Sequence, residues 1–346
     1  MTRPKRIRVL VVDDSAFARK VLRQALDSQP GIEVVGIAAD GLEALEKIAA
    51  LKPHVVTLDL VMPHLDGLGV LRELANQPQA ARVVVVSFSS GESELVVEAL
   101  QMGAVDFVKK PTALATDRLY ELSGDLVGKV LAAAAARPSA SLFPTPLPPR
   151  VLAPLVTRRR LLVVGTSTGG PQALTRLVAL LPGNFPIPIA IALHIPAEYT
   201  EALARRLSDG SALRVVEASD GLELQPGLVV LAKGGQDLQL ERQGERTLAR
   251  LTRHSGSSLY VPSVDLLFQS AARAWGAATL GVVLTGMGDD GLEGARAIVT
   301  GGGEVLTEAE STSVIYGMPR CVREAGLSAG EARLEDMAAA IIRRLG

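Results

Sequence analysis

An α/β fold, built as two doubly wound parallel-sheet domains, is what this sequence predicts, on three observations. Near-continuous apolar runs alternate with amphipathic helical segments through both halves, the pattern of strands buried on both faces. A proline-rich stretch separates the halves. The length, 346 residues, exceeds what one hydrophobic core usually serves. The domains expected are 1–125, a Pro/Ala-rich linker over 126–159, and a larger domain over 160–346 that also carries a short antiparallel hairpin.

In the first half, "RVLVVDDS", "IEVVGIA", "HVVTLDL", "ARVVVVSF" and "AVDFVKKP" read as strands. "AFARKVLRQAL", capped by Ser15, and "GLEALEKIAAL" read as helices between them. The linker "LVGKVLAAAAARPSASLFPTPLPPRVLAPLVTRRR" passes from an alanine-rich helix end into closely spaced prolines, a semi-rigid spacer. In the second half the strands are "RLLVVGTS", "IPIAIALHI", "LRVVEA", "GLVVLA" and "TLGVVLTG", with a hairpin of "LQLER" and "TLARLTR" around Gly244. "PSVDLLFQSAARAW" sets Val264, Leu267, Phe268, Ala271 and Trp275 on one helical face behind a Ser263 cap.

Composition narrows the function. Hydrophobic residues at 48% imply folding rather than disorder, and a formal net charge of −1 argues against a grip on nucleic acid. A single cysteine, Cys321, excludes an internal disulfide and a cysteine metal cluster. "MTRPKRIRVLVVDD" lacks the apolar core of a signal peptide, and no apolar run reaches the ~18 residues of a membrane span. A cytoplasmic protein, with neither nucleic acid nor membrane insertion, is expected.

Ligand sites of parallel sheets lie beyond the carboxyl ends of the strands. In the first domain those ends carry Asp13 and Asp14, Asp59, Ser87 and, after the last strand, Lys110. Each alone reads as a cap, a turn residue or a solvated charge. Together they place three carboxylates, a hydroxyl and an ammonium on one edge, a set that suits Mg²⁺. A carboxylate there can attack a phosphoryl group. "VVDDS", "TLDLVMPHLDG", Ser87 and "DFVKKP" resemble the flavodoxin-like receiver domain of bacterial response regulators over nearly all of 5–125. The resemblance implies Asp59 as phospho-acceptor, with Asp13, Asp14 and Asp59 on Mg²⁺. It makes Lys110, before Pro111, the phosphate-binding lysine, with Lys109 its neighbouring competitor, and Ser87 and Phe107 the switch pair.

"LLVVGTSTGGPQAL" in the second domain fits two chemistries. G-x-S-x-G at 165–169 is a nucleophile elbow presenting Ser167, with Pro171 suited to the following helix's first turn. The same glycine-rich turn can cradle a dinucleotide phosphate, which calls for an acid at the end of the next strand. That strand, "PIAIALHIP", ends in His194, and the first acid after it is Glu198. A histidine there suits a serine nucleophile. The second domain's other histidine, His254, sits in a polar loop. "VVLTGMGDDGLEG" offers Asp289 and Asp290 to orient the imidazole, though aspartates in such turns also serve as turn formers or caps.

"GTSTGGPQAL", "LHIP", "VPSVDLLF", "LTGMGDDG" and "VIYGMPR" together resemble the catalytic domain of the chemotaxis protein-glutamate methylesterases, a family that joins a receiver to it by a linker. The resemblance implies Ser167 as nucleophile, His194 as base and Asp290 as its orienting carboxylate, with Thr168 and Met287 shaping the substrate and oxyanion pocket. Leu193 and Cys321 depart from residues common in that family. Implied too are hydrolysis of methyl-glutamate esters and deamidation of glutamines on chemoreceptors, with no cofactor for the hydrolase step. A chemotaxis histidine kinase would be the phosphodonor, and the receiver inhibits until Asp59 is phosphorylated. A DNA-binding regulator lacks its basic recognition helix here; a non-catalytic two-component signalling scaffold remains the alternative.

Overall fold

The computed structural model describes residues 6–75, 77, 81–87, 92–110, 116–136, 157–253 and 260–346; of 116–123 only the backbone course is described. Two compact units divide the chain, Met1–Phe143 and Pro144–Gly346.

In the first unit, β1 (Ile7–Val12), β2 (Ile32–Ala38), β3 (Val55–Leu58), β4 (Arg82–Ser87) and β5 (Asp106–Lys109) form a parallel sheet in the order β2-β1-β3-β4-β5. The helices are α1 (Ala16–Asp27), α2 (Gly41–Leu51), α3 (Gly67–Ala75), α4 (Ser93–Gln101) and α5 (Thr116–Ala135). Ser15 caps α1 by accepting from the Ala18 amide at 3.3 Å. The central strands are buried along almost their whole length, which is why they read as continuous apolar runs.

The boundary expected at 125 falls inside α5. Leu126, Val127, Val130 and Ala133 are buried at helical spacing, so the alanine-rich stretch belongs to the first unit's core rather than to a spacer. The far end of the expected linker is also packed: the Arg158 amide donates to Leu345 O at 3.1 Å, and the Arg159 guanidinium reaches Ala277 O and Glu304. The proline-rich stretch between, 137–156, lies outside the described residues, as does His254.

The second unit is built on seven parallel strands in the order β15-β14-β13-β6-β7-β10-β8. These are β6 (Leu161–Thr166), β7 (Ile189–Leu193), β8 (Arg214–Glu217), β10 (Leu228–Leu231), β13 (Thr279–Val283), β14 (Glu304–Glu308) and β15 (Gly330–Ala332). β9 (Glu223–Leu224), β11 (Gln236–Gln243) and β12 (Arg246–Arg253) form a separate antiparallel sheet, turned at Gly244 as expected. The helices are α6 (Gly170–Leu180), α7 (Ala197–Asp209), α8 (Val264–Trp275), α9 (Leu292–Thr300), α10 (Met318–Glu324) and α11 (Leu334–Arg343). The predicted face of α8 is buried, with Trp275 packed at its edge. β6 lies between β7 and β13, so the chain leaves it to one side first and returns later on the other. Such a switch point opens a crevice at the strands' carboxyl ends.

Candidate active site

Ser167, His194 and Asp290 follow β6, β7 and β13, the three strands that flank the switch point. Gly169, at φ +77°, turns the chain sharply into α6, and Pro171 occupies its first turn. The loop after β13 passes so close that a Cβ on Gly286 would stand 2.9 Å from the Ser167 Cβ.

His194 joins the other two side chains. Its Nε2 lies 2.8 Å from Asp290 Oδ2 and its Nδ1 lies 3.0 Å from Ser167 Oγ. The carboxylate only accepts, so the ring proton sits on Nε2 and the lone pair of Nδ1 faces the serine hydroxyl. Asp290 also accepts from the Val264 amide at 2.7 Å, the Asp265 amide at 2.9 Å and Ser263 Oγ at 3.2 Å. Two of these donors open α8, whose positive end favours a carboxylate. Burial pushes the Asp290 carboxyl up, but the hydrogen bond and charge of His194 and the two amides outweigh it and hold it below its usual range. Asp290 is thus both a helix-capping carboxylate and the histidine's partner, whereas Asp289 is exposed. Thr168 is buried beside Ser167 and Met287 stands half-exposed on the β13 loop.

Behind the turn, Thr285 ties the loops together. Its carbonyl accepts from the Ser167 amide at 3.0 Å and Thr166 Oγ1 at 2.7 Å, its hydroxyl donates to Thr168 O at 3.0 Å, and its amide donates to Glu308 Oε2 at 2.8 Å. Glu308 has no exposed surface, and burial pushes its carboxyl from the ordinary 4.5 up to about 7.

In the first unit the strand ends assemble an acidic site. Asp13, Asp14 and Asp59 each present an oxygen, all within 4.8 Å of one another. Three carboxylate oxygens at that spacing are a hard-donor set fitting Mg²⁺. Lys110 Nζ reaches Asp13 Oδ2 and Asp59 Oδ2, each at 2.7 Å, while Lys109 is exposed. Burial raises the Asp59 carboxyl to about 6 against the pull of Lys110. Ser87 Oγ donates to the Glu92 carboxylate. Phe107 is buried, and Lys129 lies 5.2 Å from its ring centre and donates to its carbonyl at 2.6 Å.

The CheB methylesterase family matches residues 162–341, over half of the chain, and the response regulator receiver domain family matches residues 9–121. The chain belongs to the CheB methylesterase family. It is 62% identical to "Protein-glutamate methylesterase/protein-glutamine glutaminase 5" of Myxococcus xanthus (strain DK1622) over the full length of both. It is 40% identical to "Protein-glutamate methylesterase/protein-glutamine glutaminase 3" of Geobacter sulfurreducens, covering 99% of this chain and 98% of that one. The Thermotoga maritima CheB methylesterase catalytic domain superposes with a TM-score of 0.52 at 37% identity, covering 54% of this chain and 98% of that one.

Within this CheB methylesterase framework, sequence reasoning missed several residues of the site. Ser263 was legible as a cap but not as a donor to Asp290. Tyr260, stacked on His194, carries no local motif, and Thr285, behind the turn, lies within "LTGMGDDG" without a local sign of its role there. The strand holding Glu308 went unread because glutamates bracket its apolar centre. Among the described residues no helix is long and apolar enough to cross a membrane.

Proposed function

We propose that this chain is a phosphorylation-regulated hydrolase that demethylates methyl-glutamate esters, and deamidates glutamines, on chemoreceptors. The observation that carries the reading is the His194 imidazole held between the Ser167 hydroxyl and the Asp290 carboxylate. Ser167 Oγ attacks the ester carbonyl as His194 Nδ1 takes its proton, and Asp290 holds the ring and balances the imidazolium. Thr168 and Met287 line the pocket for the substrate and the oxyanion. His194 then returns the proton to the leaving methoxide, and methanol departs. Water, deprotonated by His194, hydrolyses the acyl-enzyme and restores glutamate. On a glutamine side chain the same steps release ammonia.

The acidic site of the receiver supplies regulation. Asp59 is the phospho-acceptor, and Asp13, Asp14 and Asp59 would hold a Mg²⁺ that offsets the charge of an incoming phosphoryl group. Lys110 binds the phosphoryl oxygens, Ser87 and Phe107 respond, and the receiver's restraint on the catalytic unit is released. A chemotaxis histidine kinase is the donor.

The test is methanol release from methylated receptor membranes, with and without a small phosphodonor. Release should rise several-fold with the donor, and this rise should vanish in Asp59→Asn. Ser167→Ala should abolish release altogether. A wild type as silent as Ser167→Ala, even with donor, would leave a non-catalytic scaffold as the better account.

A further inference from the structure

We propose that Tyr260 is a positioning residue for the catalytic imidazole, holding the ring plane of His194; this rests on the triad reading above. The two rings stack face to face, with centroids 4.5 Å apart and planes within 4° of parallel. Asp290 and Ser167 hold the imidazole at Nε2 and Nδ1, both within its own plane, and leave the ring free to rock about the line joining them. The phenol closes that freedom from one face, keeping Nδ1 aimed at Ser167. The other side of Tyr260 meets the loop that carries Asp290: its hydroxyl lies 2.6 Å from where a Cβ on Gly288 would stand. Tyr260 therefore bridges the base and the loop of its orienting acid, and the chain continues through Pro262 directly to Ser263, Val264 and Asp265, the three donors to Asp290. One short segment, 260–265, thus holds both members of the His–Asp pair.

The stacked geometry has an electronic consequence. A π face attracts a cation, so the phenol ring stabilises the charge that develops on the imidazole as Ser167 attacks. The charged groups facing this assembly are Asp290, on Nε2, and Asp289, on the same loop; burial first, then both carboxylates, raise the Tyr260 hydroxyl, which keeps it neutral. Losing the ring should cost the imidazole its alignment and leave the developing charge without its π neighbour.

The test is the labelling rate of Ser167 by a fluorophosphonate at pH 7, on the full chain with Mg²⁺ and a small phosphodonor. Tyr260→Phe keeps the stack and should label within about twofold of wild type. Tyr260→Leu should label about tenfold more slowly at pH 7. Equal slowing in Phe and Leu, or a Leu variant with the wild-type rate, overturns the proposal. Circular dichroism and thermal unfolding of both variants identify slowing that comes from misfolding; the Phe variant then carries the test alone, and a folded Phe protein slowed well beyond twofold overturns the proposal. If wild type labels no faster than Ser167→Ala, the triad reading itself fails and takes this proposal with it.

Discussion

Glu308 shows how much one side chain can depend on its surroundings. Its carboxyl is bonded to the Thr285 amide behind the β6–α6 turn and wholly removed from water, and burial raises it from 4.5 to about 7. A raised carboxyl contributes stability fully below its unfolded value and loses it as pH climbs through the folded value. Glu308→Gln keeps the shape and the acceptor for Thr285 while removing the titration. The variant and wild type should be nearly equally stable at pH 4.5 and below. By pH 8 the glutamine protein should be more stable by up to about 3 kcal/mol, from the size of the shift. Urea unfolding of the catalytic unit at pH 4.5, 6 and 8 checks this; a gap that is constant with pH would contradict it.

At the scale of elements, α8 does two things with one end. Ser263 caps it through the Leu266 amide at 3.3 Å and also reaches Asp290 at 3.2 Å. The first amides of the helix then bind the same carboxylate, so helix formation and orientation of the histidine are one event. Ser263→Ala should cost about 2 kcal/mol, from the lost cap and the lost bond to a charged acceptor. Activity should fall only several-fold, because the His194 contact and two amides remain on Asp290. Urea midpoints and methanol release measured on the same preparation separate the two effects; loss of all activity with unchanged stability would assign Ser263 a larger part. The elbow at β6–α6 differs in kind. Its glycines, proline and serine announce a turn by themselves, whereas the α8 terminus takes its meaning from a loop 25 residues or more further along the chain.

Across the whole molecule, the two units own separate sheets, and 157–346 contains the triad with all its supporting residues. That fragment should fold alone, unfold cooperatively, and release methanol at a rate indifferent to a phosphodonor; calorimetry and the receptor-membrane assay test both. A fragment that fails to melt cooperatively would mean that its core is incomplete. The α/β class, both sheets' main strands, the hairpin and the glycine-rich turn that presents Ser167 were legible in the sequence because each rests on local information: apolar runs buried on two faces, turn glycines, caps at fixed offsets. The end of the first unit was misplaced at 125 because an alanine-rich helix reads weakly until Leu126, Val130 and Ala133 are seen packed. β14 escaped because Glu304 and Glu308 look like a polar surface, while one pairs with Arg159 and Arg344 and the other is buried. Pattern and spacing determine which segments become strands and helices, since those forces act between near neighbours. The stack of Tyr260 on His194, the four donors on Asp290 and the raised carboxyl of Glu308 arise only on folding, because each depends on distance and desolvation among residues that the chain keeps far apart.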